Sequence, residues 1–175
     1  MTEKKEKILY AAQKLFALEG YQGTSTAKVA KEAGVSEALI FRHFGNKEGL
    51  LKAILALGEE RAMKFFSKIL METDPLKVIN NALELPFQVA KKEMEFWKLQ
   101  FAIKWQVPDM ESNRMEPFKL SLSNAFNKLG YSDPENEAEL LLFIIEGLSS
   151  AIIKTGFEGP KNSLKFLKRK YNITK

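Results

Sequence analysis

The sequence predicts an all-α protein of about nine helices. Apolar residues recur at helical spacing along most of the chain, and runs of β-branched residues are scarce. Glycine and proline fall mostly between the periodic segments. With 175 residues and 45% hydrophobic content, the chain can bury a sizeable core, in one domain or two small ones.

The elements follow in order. A first helix is predicted from about Glu3 to Glu19, with Ile8, Ala12, Leu15 and Phe16 on one stripe. Gly20 ends it, and Tyr21 can fold back on its last turn. A short helix runs from about Thr26 to Ala33 with Ser25 as N-cap, and another from Glu37 to about Phe44 with Ser36 as N-cap. A long fourth helix starts after Asn46 and continues towards Met71. Asp74-Pro75 opens a fifth, which Pro86 kinks or ends. Further helices are predicted over about Lys92–Gln106, Glu111–Leu129, Pro134–Thr155 and Pro160–Tyr171.

Composition excludes several classes of chemistry. There is no cysteine, so disulfides, thiolate metal sites and cysteine nucleophiles are ruled out. The single histidine, His43, cannot make a His-rich metal site. No cofactor and no metal are expected. No apolar run is long enough to span a membrane, and the N-terminus lacks the apolar centre of a signal peptide. The expected location is the cytoplasm. Residues 154–175 carry seven basic side chains and one acidic one, which fits either a polyanion partner or a solvated tail.

The most informative stretch is Thr24 to Phe44. Two short helices meet at Ala33-Gly34-Val35-Ser36, where glycine permits the positive φ of a tight turn. Val29, Ala30, Ala33 and Val35 are placed to pack against Leu39, Ile40 and Phe44. With Ile8, Ala12 and Phe16 they form a three-helix unit. Leu39, Ile40, His43 and Phe44 share the inner side of the third helix. Glu37, Ala38, Phe41 and Arg42 share the outer side, where a merely structural helix rarely exposes an aromatic. In the major groove Arg42 can donate to guanine or phosphate, Ala38 and Phe41 can touch a thymine methyl, and Glu37 can accept from a cytosine amino group. The alternative is an ordinary three-helix core with a polar face. The turn signature favours DNA reading.

Lys47 supports the same reading independently. It lies in the first turn of the fourth helix, where the helix dipole disfavours a cation unless an anion binds. Free backbone N–H groups and Lys47 together make a phosphate clamp. Thr24, Ser25, Thr26, Lys28, Ser36 and His43 complete the candidate DNA contacts.

The stretch from Ile8 to Leu51 resembles the N-terminal domain of the TetR family of transcriptional regulators. The matching elements are Ile8-Leu9-x-x-Ala12-x-x-Leu15-Phe16, Gly20-Tyr21, Thr24-Ser25-x-x-x-Val29-Ala30-x-x-Ala33-Gly34-Val35-Ser36 and His43-Phe44-x-x-Lys47-x-x-Leu50-Leu51. The resemblance implies an all-helical homodimer, usually a repressor, that binds a palindromic operator in double-stranded DNA and is released by a small apolar or amphipathic effector. It implies a helix-turn-helix DNA-binding domain over residues 1–48 and a helical effector-binding and dimerisation domain over 49–175. Two departures stand out. The family often has glycine where this chain has Ala38, and tyrosine where it has Phe41. Phe41 has no hydroxyl for a phosphate, so operator specificity does not carry over.

The second half is rich in large apolar side chains. The resemblance implies that some line an effector cavity, with Phe66, Phe87, Phe96, Trp97, Phe101, Trp105 and Phe118 as candidates and Gln100, Gln106 or Asn124 as polar anchors. Ordinary core packing is the alternative for each. Residues 140–153 are apolar on nearly all sides, so this helix needs cover on all sides. A partner subunit is the natural cover, and a central core helix within one chain is the alternative. Phe143, Ile144, Gly147, Leu148, Ser150 and Ala151 are the candidate dimer residues, the small ones allowing close helix contact. A symmetric dimer also doubles the DNA site that one short helix reads.

Two other functions compete with this reading. One is a DNA-binding regulator with no small-molecule effector. The other is a helical enzyme using the aromatic pocket. The enzyme is disfavoured because the chain has no G-x-S-x-G, no Gly-rich phosphate loop and no nucleophile–base arrangement.

Overall fold

The computed structural model describes residues 2–89, 93–106, 115–155 and 161–173. Among them are nine α-helices and no strand. The helices are α1 (Glu3–Glu19), α2 (Thr26–Ala33), α3 (Glu37–Phe44), α4 (Lys47–Leu70), α5 (Pro75–Glu84), α6 (Met94–Lys104), α7 (Glu116–Lys128), α8 (Pro134–Thr155) and α9 (Lys161–Lys170). Pro86 sits buried in a 3-10 turn, Leu85–Gln88, directly after α5. It therefore follows the helix end rather than kinking the helix, because a proline ring clashes with the preceding helical turn. Among the described residues, the helices predicted over 92–106 and 111–129 are seen as Met94–Lys104 and Glu116–Lys128. Lys92, residues 107–114 and Pro160 lie outside the described residues. No described helix is long and apolar enough to cross a membrane.

The chain forms two compact units, Met1–Arg61 with Glu95–Met110, and Ala62–Met94 with Glu111–Lys175. The division falls inside α4. In the first unit, Ile8, Ala12 and Phe16 of α1 are fully buried with Val29 of α2, Ile40 of α3 and Leu50 of α4. Ile103 of α6 joins the same core. The Gln100 amide donates to the Ile54 carbonyl at 2.9 Å and lies against Gly58, so α6 is bonded to α4 within this unit. Gln13 adds a second tie, donating to the Phe96 carbonyl at 3.3 Å.

The second unit is built on α5, α7 and α8, with α9 packed beside α5. Phe126 is buried between Tyr131 and Tyr171, with ring centroids 4.9 and 5.7 Å away. Phe66 stacks on Phe118 at 4.5 Å. An ion pair between Lys168 and Glu84 joins α9 to α5. Asp74 caps α5 by accepting from the Leu76 and Lys77 amides, as Asp-Pro predicts. α8 buries Ala138 and Leu141 in this core, and Ile152 is also buried, but Phe143 is 62% exposed, beside exposed Leu140 and Gly147. An open cleft of about 520 Å³ lies between α8 and α9, lined by Ile144, Gly147, Leu148 and Phe166.

Tyr171 has an electrostatic consequence. Its ring is buried, and its hydroxyl has no hydrogen-bond partner among the described residues. Burial first, then the neighbouring Glu137 carboxylate and Tyr131, push its phenol up to about 12. An unfolded tyrosine ionises near about 10. Between those values the unfolded chain releases a proton that the native state retains, so stability is intact below about pH 10 and falls as pH rises towards 12. The slope approaches about 1.4 kcal/mol per pH unit. Thermal unfolding from about pH 9 to 12 should show a steeper fall for the wild type than for Tyr171→Phe. At neutral pH the variant should be equally or more stable, since it removes a buried hydroxyl without a partner. Superimposable alkaline profiles would exclude Tyr171 as the source.

Candidate nucleic-acid interface

The interface is organised by the turn between α2 and α3. Gly34 adopts a left-handed conformation, φ 66° and ψ 37°. The Gly34 amide donates to the Lys31 carbonyl and the Val35 amide to the Ala30 carbonyl. This is the Schellman arrangement, which satisfies the last carbonyls of α2 and turns the chain sharply. Ser25 caps the other end of α2, accepting from the Lys28 amide at 3.2 Å. Ser36 occupies the N-cap position of α3, but its side chain makes no cap hydrogen bond. Instead the Leu39 amide closes the first turn on the Ser36 carbonyl at 3.0 Å, so the exposed hydroxyl is not drawn into the helix end.

α3 presents the two faces that its spacing predicts. Ile40 is fully buried, and Leu39, His43 and Phe44 are half-buried. Ala38 and Arg42 are exposed, and Phe41 is 45% exposed. His43 lies edge-on to Phe44, 6.0 Å between ring centroids. A small residue, an aromatic and a guanidinium therefore stand on the outer face of a helix anchored from below.

α4 starts close to the end of α3. Asn46 caps it, its side-chain oxygen accepting from the Gly49 amide at 2.8 Å. A Cβ at Gly49 would lie 1.9 Å from the Phe44 carbonyl oxygen, so only glycine allows this approach. Sequence reasoning passed over Gly49, because an isolated glycine in a helical pattern reads as merely tolerated. Lys47 donates to the Tyr21 carbonyl at 3.0 Å and the Gln22 carbonyl at 3.4 Å, and its ammonium lies 4.5 Å from the Tyr21 ring centroid. These acceptors and the ring offset the cost of a cation at a helix N-terminus. Tyr21 itself packs edge-on against Phe16 at 5.2 Å, and burial, then the Glu48 carboxylate, raises its phenol above the ordinary value.

The remaining predicted contact residues divide by environment. Thr24 is buried, and its hydroxyl donates to the Gly20 and Leu15 carbonyls, so its side chain secures the end of α1. The Thr26 hydroxyl donates to the Glu37 carboxylate at 2.6 Å, linking the first turns of α2 and α3. Lys28 is exposed and pairs with Glu19. Glu19 was not anticipated. The signal was present, since a carboxylate in the last turn of a helix opposes the dipole and needs a cationic partner.

The aromatic and polar residues proposed for an effector site fall in both units. Phe66, Phe87 and Phe118 belong to the second, where Phe66 and Phe118 meet. Phe96, Trp97, Gln100, Phe101 and Trp105 lie on or directly after α6 in the first. There Arg61 sits 3.9 Å from the Phe96 ring centroid, and Phe101 meets Trp105 edge-on, with Trp105 65% exposed. Gln106 accepts from the Tyr21 amide at 3.1 Å. Asn124 lines a separate cavity of about 310 Å³ between the end of α4, the start of α5 and α7.

A short three-helix unit with an αL turn, a buried inner face and an exposed Ala-Phe-Arg face defines a helix-turn-helix protein of the DNA-binding class. Comparison with known proteins agrees. Residues 8–54 match the family model described as bacterial regulatory proteins, tetR family. The HTH-type transcriptional regulator YdgC of Bacillus subtilis is 25% identical over 167 residues, covering 90% of this chain and 85% of that protein. Among solved structures, Salmonella enterica GusR is 26% identical with a TM-score of 0.71, covering 95% of each chain. AibR, crystallised with isovaleryl coenzyme A and operator DNA, shares the fold at a TM-score of 0.66 and 19% identity, covering 86% of this chain and 96% of AibR. Residues 8–54 are thus similar to the TetR family of bacterial regulatory proteins, and YdgC, which aligns along most of the chain, is a transcriptional regulator.

Proposed function

We propose that this regulator binds a palindromic operator as a homodimer, represses from it, and is released by a small apolar or amphipathic ligand in the cytoplasm. Residues 1–48 serve as the DNA-binding domain and 49–175 as the effector-binding and dimerisation domain. The observation that carries the DNA reading is the outer face of α3, where Ala38, Phe41 and Arg42 are exposed while Ile40 anchors the helix. Arg42 is assigned to base-edge contact, and Ala38 and Phe41 to thymine methyls. Ser25, Thr26, Lys28, Ser36, His43 and Lys47 are assigned to the phosphates, with Thr24 holding their loop. Selection from a random duplex pool tests this directly. The expected product is an inverted repeat with half-sites about one or more helical turns apart, about 34 Å per turn. Arg42→Ala should bind the selected site less tightly by about 1–3 kcal/mol and bind random duplex with little change. Recovery of no common sequence would overturn the operator reading.

The dimer is proposed to form on α8, through Phe143, Ile144, Gly147, Leu148, Ser150 and Ala151, with α9 beside it. Support comes from the exposed Phe143 on α8 and from the open cleft lined in part by exposed Phe166, apolar surface that a monomer would leave wet. Sedimentation equilibrium should give twice the chain mass for the wild type. Phe143→Glu should shift it towards the single chain with unchanged helical circular dichroism.

The effector proposal is supported by the apolar residues named above and by the fold shared with AibR, which was crystallised with an acyl-coenzyme A. Thermal shift against a panel of acyl-coenzyme A thioesters and free lipophilic acids should reveal concentration-dependent stabilisation. A ligand present at about 100 times its Kd stabilises by about 2.7 kcal/mol. No shift across the panel favours the second reading, a regulator controlled without a small molecule.

A further inference from the structure

Two of the donors proposed for the phosphates are already engaged by acceptors of the protein itself. The Thr26 hydroxyl, in the first turn of α2, is held by Glu37 at 2.6 Å. The Lys28 ammonium, two residues further along α2 and exposed, is held by Glu19. The acceptors are not neutral. Both are carboxylates, the groups that most resemble a phosphate oxygen to these donors. Glu37 also lies in the first turn of α3, next to the exposed Ala38, so its charge stands at the edge of the reading face.

We propose that Glu37 is a specificity-determining residue that competes with DNA phosphate for Thr26, as Glu19 does for Lys28. The inference rests on the DNA-binding reading above. Docking transfers the Thr26 hydroxyl and the Lys28 ammonium from a carboxylate to a phosphate. The freed carboxylate then faces a polyanion at close range, where like charges repel and screening is incomplete. Every duplex incurs this cost, because every duplex presents phosphates. Only a sequence that also engages Arg42, Ala38 and Phe41 offsets it. Glu37 therefore suppresses phosphate-only binding, which is the background against which an operator must be found. Specificity here includes a repulsive element as well as attractive contacts.

Glu37→Gln keeps an oxygen acceptor for Thr26 and removes the charge. In anisotropy titrations with random-sequence duplex at about 0.1 M salt, it should bind about fivefold more tightly than the wild type, a factor set by one close like-charge repulsion in water. The operator-to-random affinity ratio should fall, and the difference should shrink at about 1 M salt, where the screening length is about 3 Å. Glu19→Gln, at a site remote from the α3 reading face, should shift random-duplex affinity in the same direction by a smaller factor. Unchanged random-duplex affinity in both variants overturns the proposal. So does weaker operator binding by Glu37→Gln with random binding unchanged, which would make Glu37 a direct base reader. If the wild type binds neither random nor selected duplex, the DNA-binding reading fails first and takes this proposal with it.

Discussion

The left-handed turn at Gly34 sets the geometry on which the first unit depends. Two backbone bonds from Gly34 and Val35 close the last turn of α2, and no L-residue adopts φ near 66° without cost. The turn sets the direction of α3, and the direction of α3 decides which residues face the core. Ile40 goes in beside Phe16, Val29 and Leu50, and Phe41 and Arg42 are left outside. The next constraint is at Gly49, where the chain passes within contact of the Phe44 carbonyl and brings Lys47 back onto the Tyr21 loop. The reading face, the anchor beneath it and the cation beside it thus follow from two glycines and a small buried core.

Electrostatics refines the picture of an open cationic surface. Lys47 is satisfied by two carbonyls and an aromatic ring, Lys28 by Glu19, and Thr26 by Glu37. A preorganised but internally compensated surface differs from a row of free cations. It holds its side chains in place without DNA, and on the proposed docking it would make a phosphate contact by Thr26, Lys28 or Lys47 an exchange rather than a gain. The net charge of +5 is therefore a poor guide to how strongly the chain grips a duplex, and the arrangement of pairs is a better one.

Much of the fold was legible because local signals coincide with tertiary ones. Asp74-Pro75 caps α5 and Pro134 opens α8 at the positions that the sequence predicts. The inner and outer faces of α3 follow from spacing alone. What the sequence concealed are contacts between distant residues. Nothing local in Gln100 says that its amide bonds the Ile54 carbonyl, so the placement of α6 against α4 was not readable. Ser36 occupies a cap position by pattern, yet the backbone closes the turn without its hydroxyl. Thr26 and Glu37 are eleven residues apart and meet only because the turn between them is tight. Tyr171 reads as an ordinary helix-end aromatic, while its burial beside Glu137 is a property of the packed unit.

The central claim is that α3 enters the major groove with Arg42 at the base edges. Methylation protection of guanine N7, which lies in that groove, tests it most directly on a selected duplex. Two protected patches are expected about one or more helical turns apart, one in each half-site. At least one protected guanine in each patch should become reactive again with Arg42→Ala. A bound duplex whose guanines stay fully reactive at N7, with protection only in the minor groove, would contradict it.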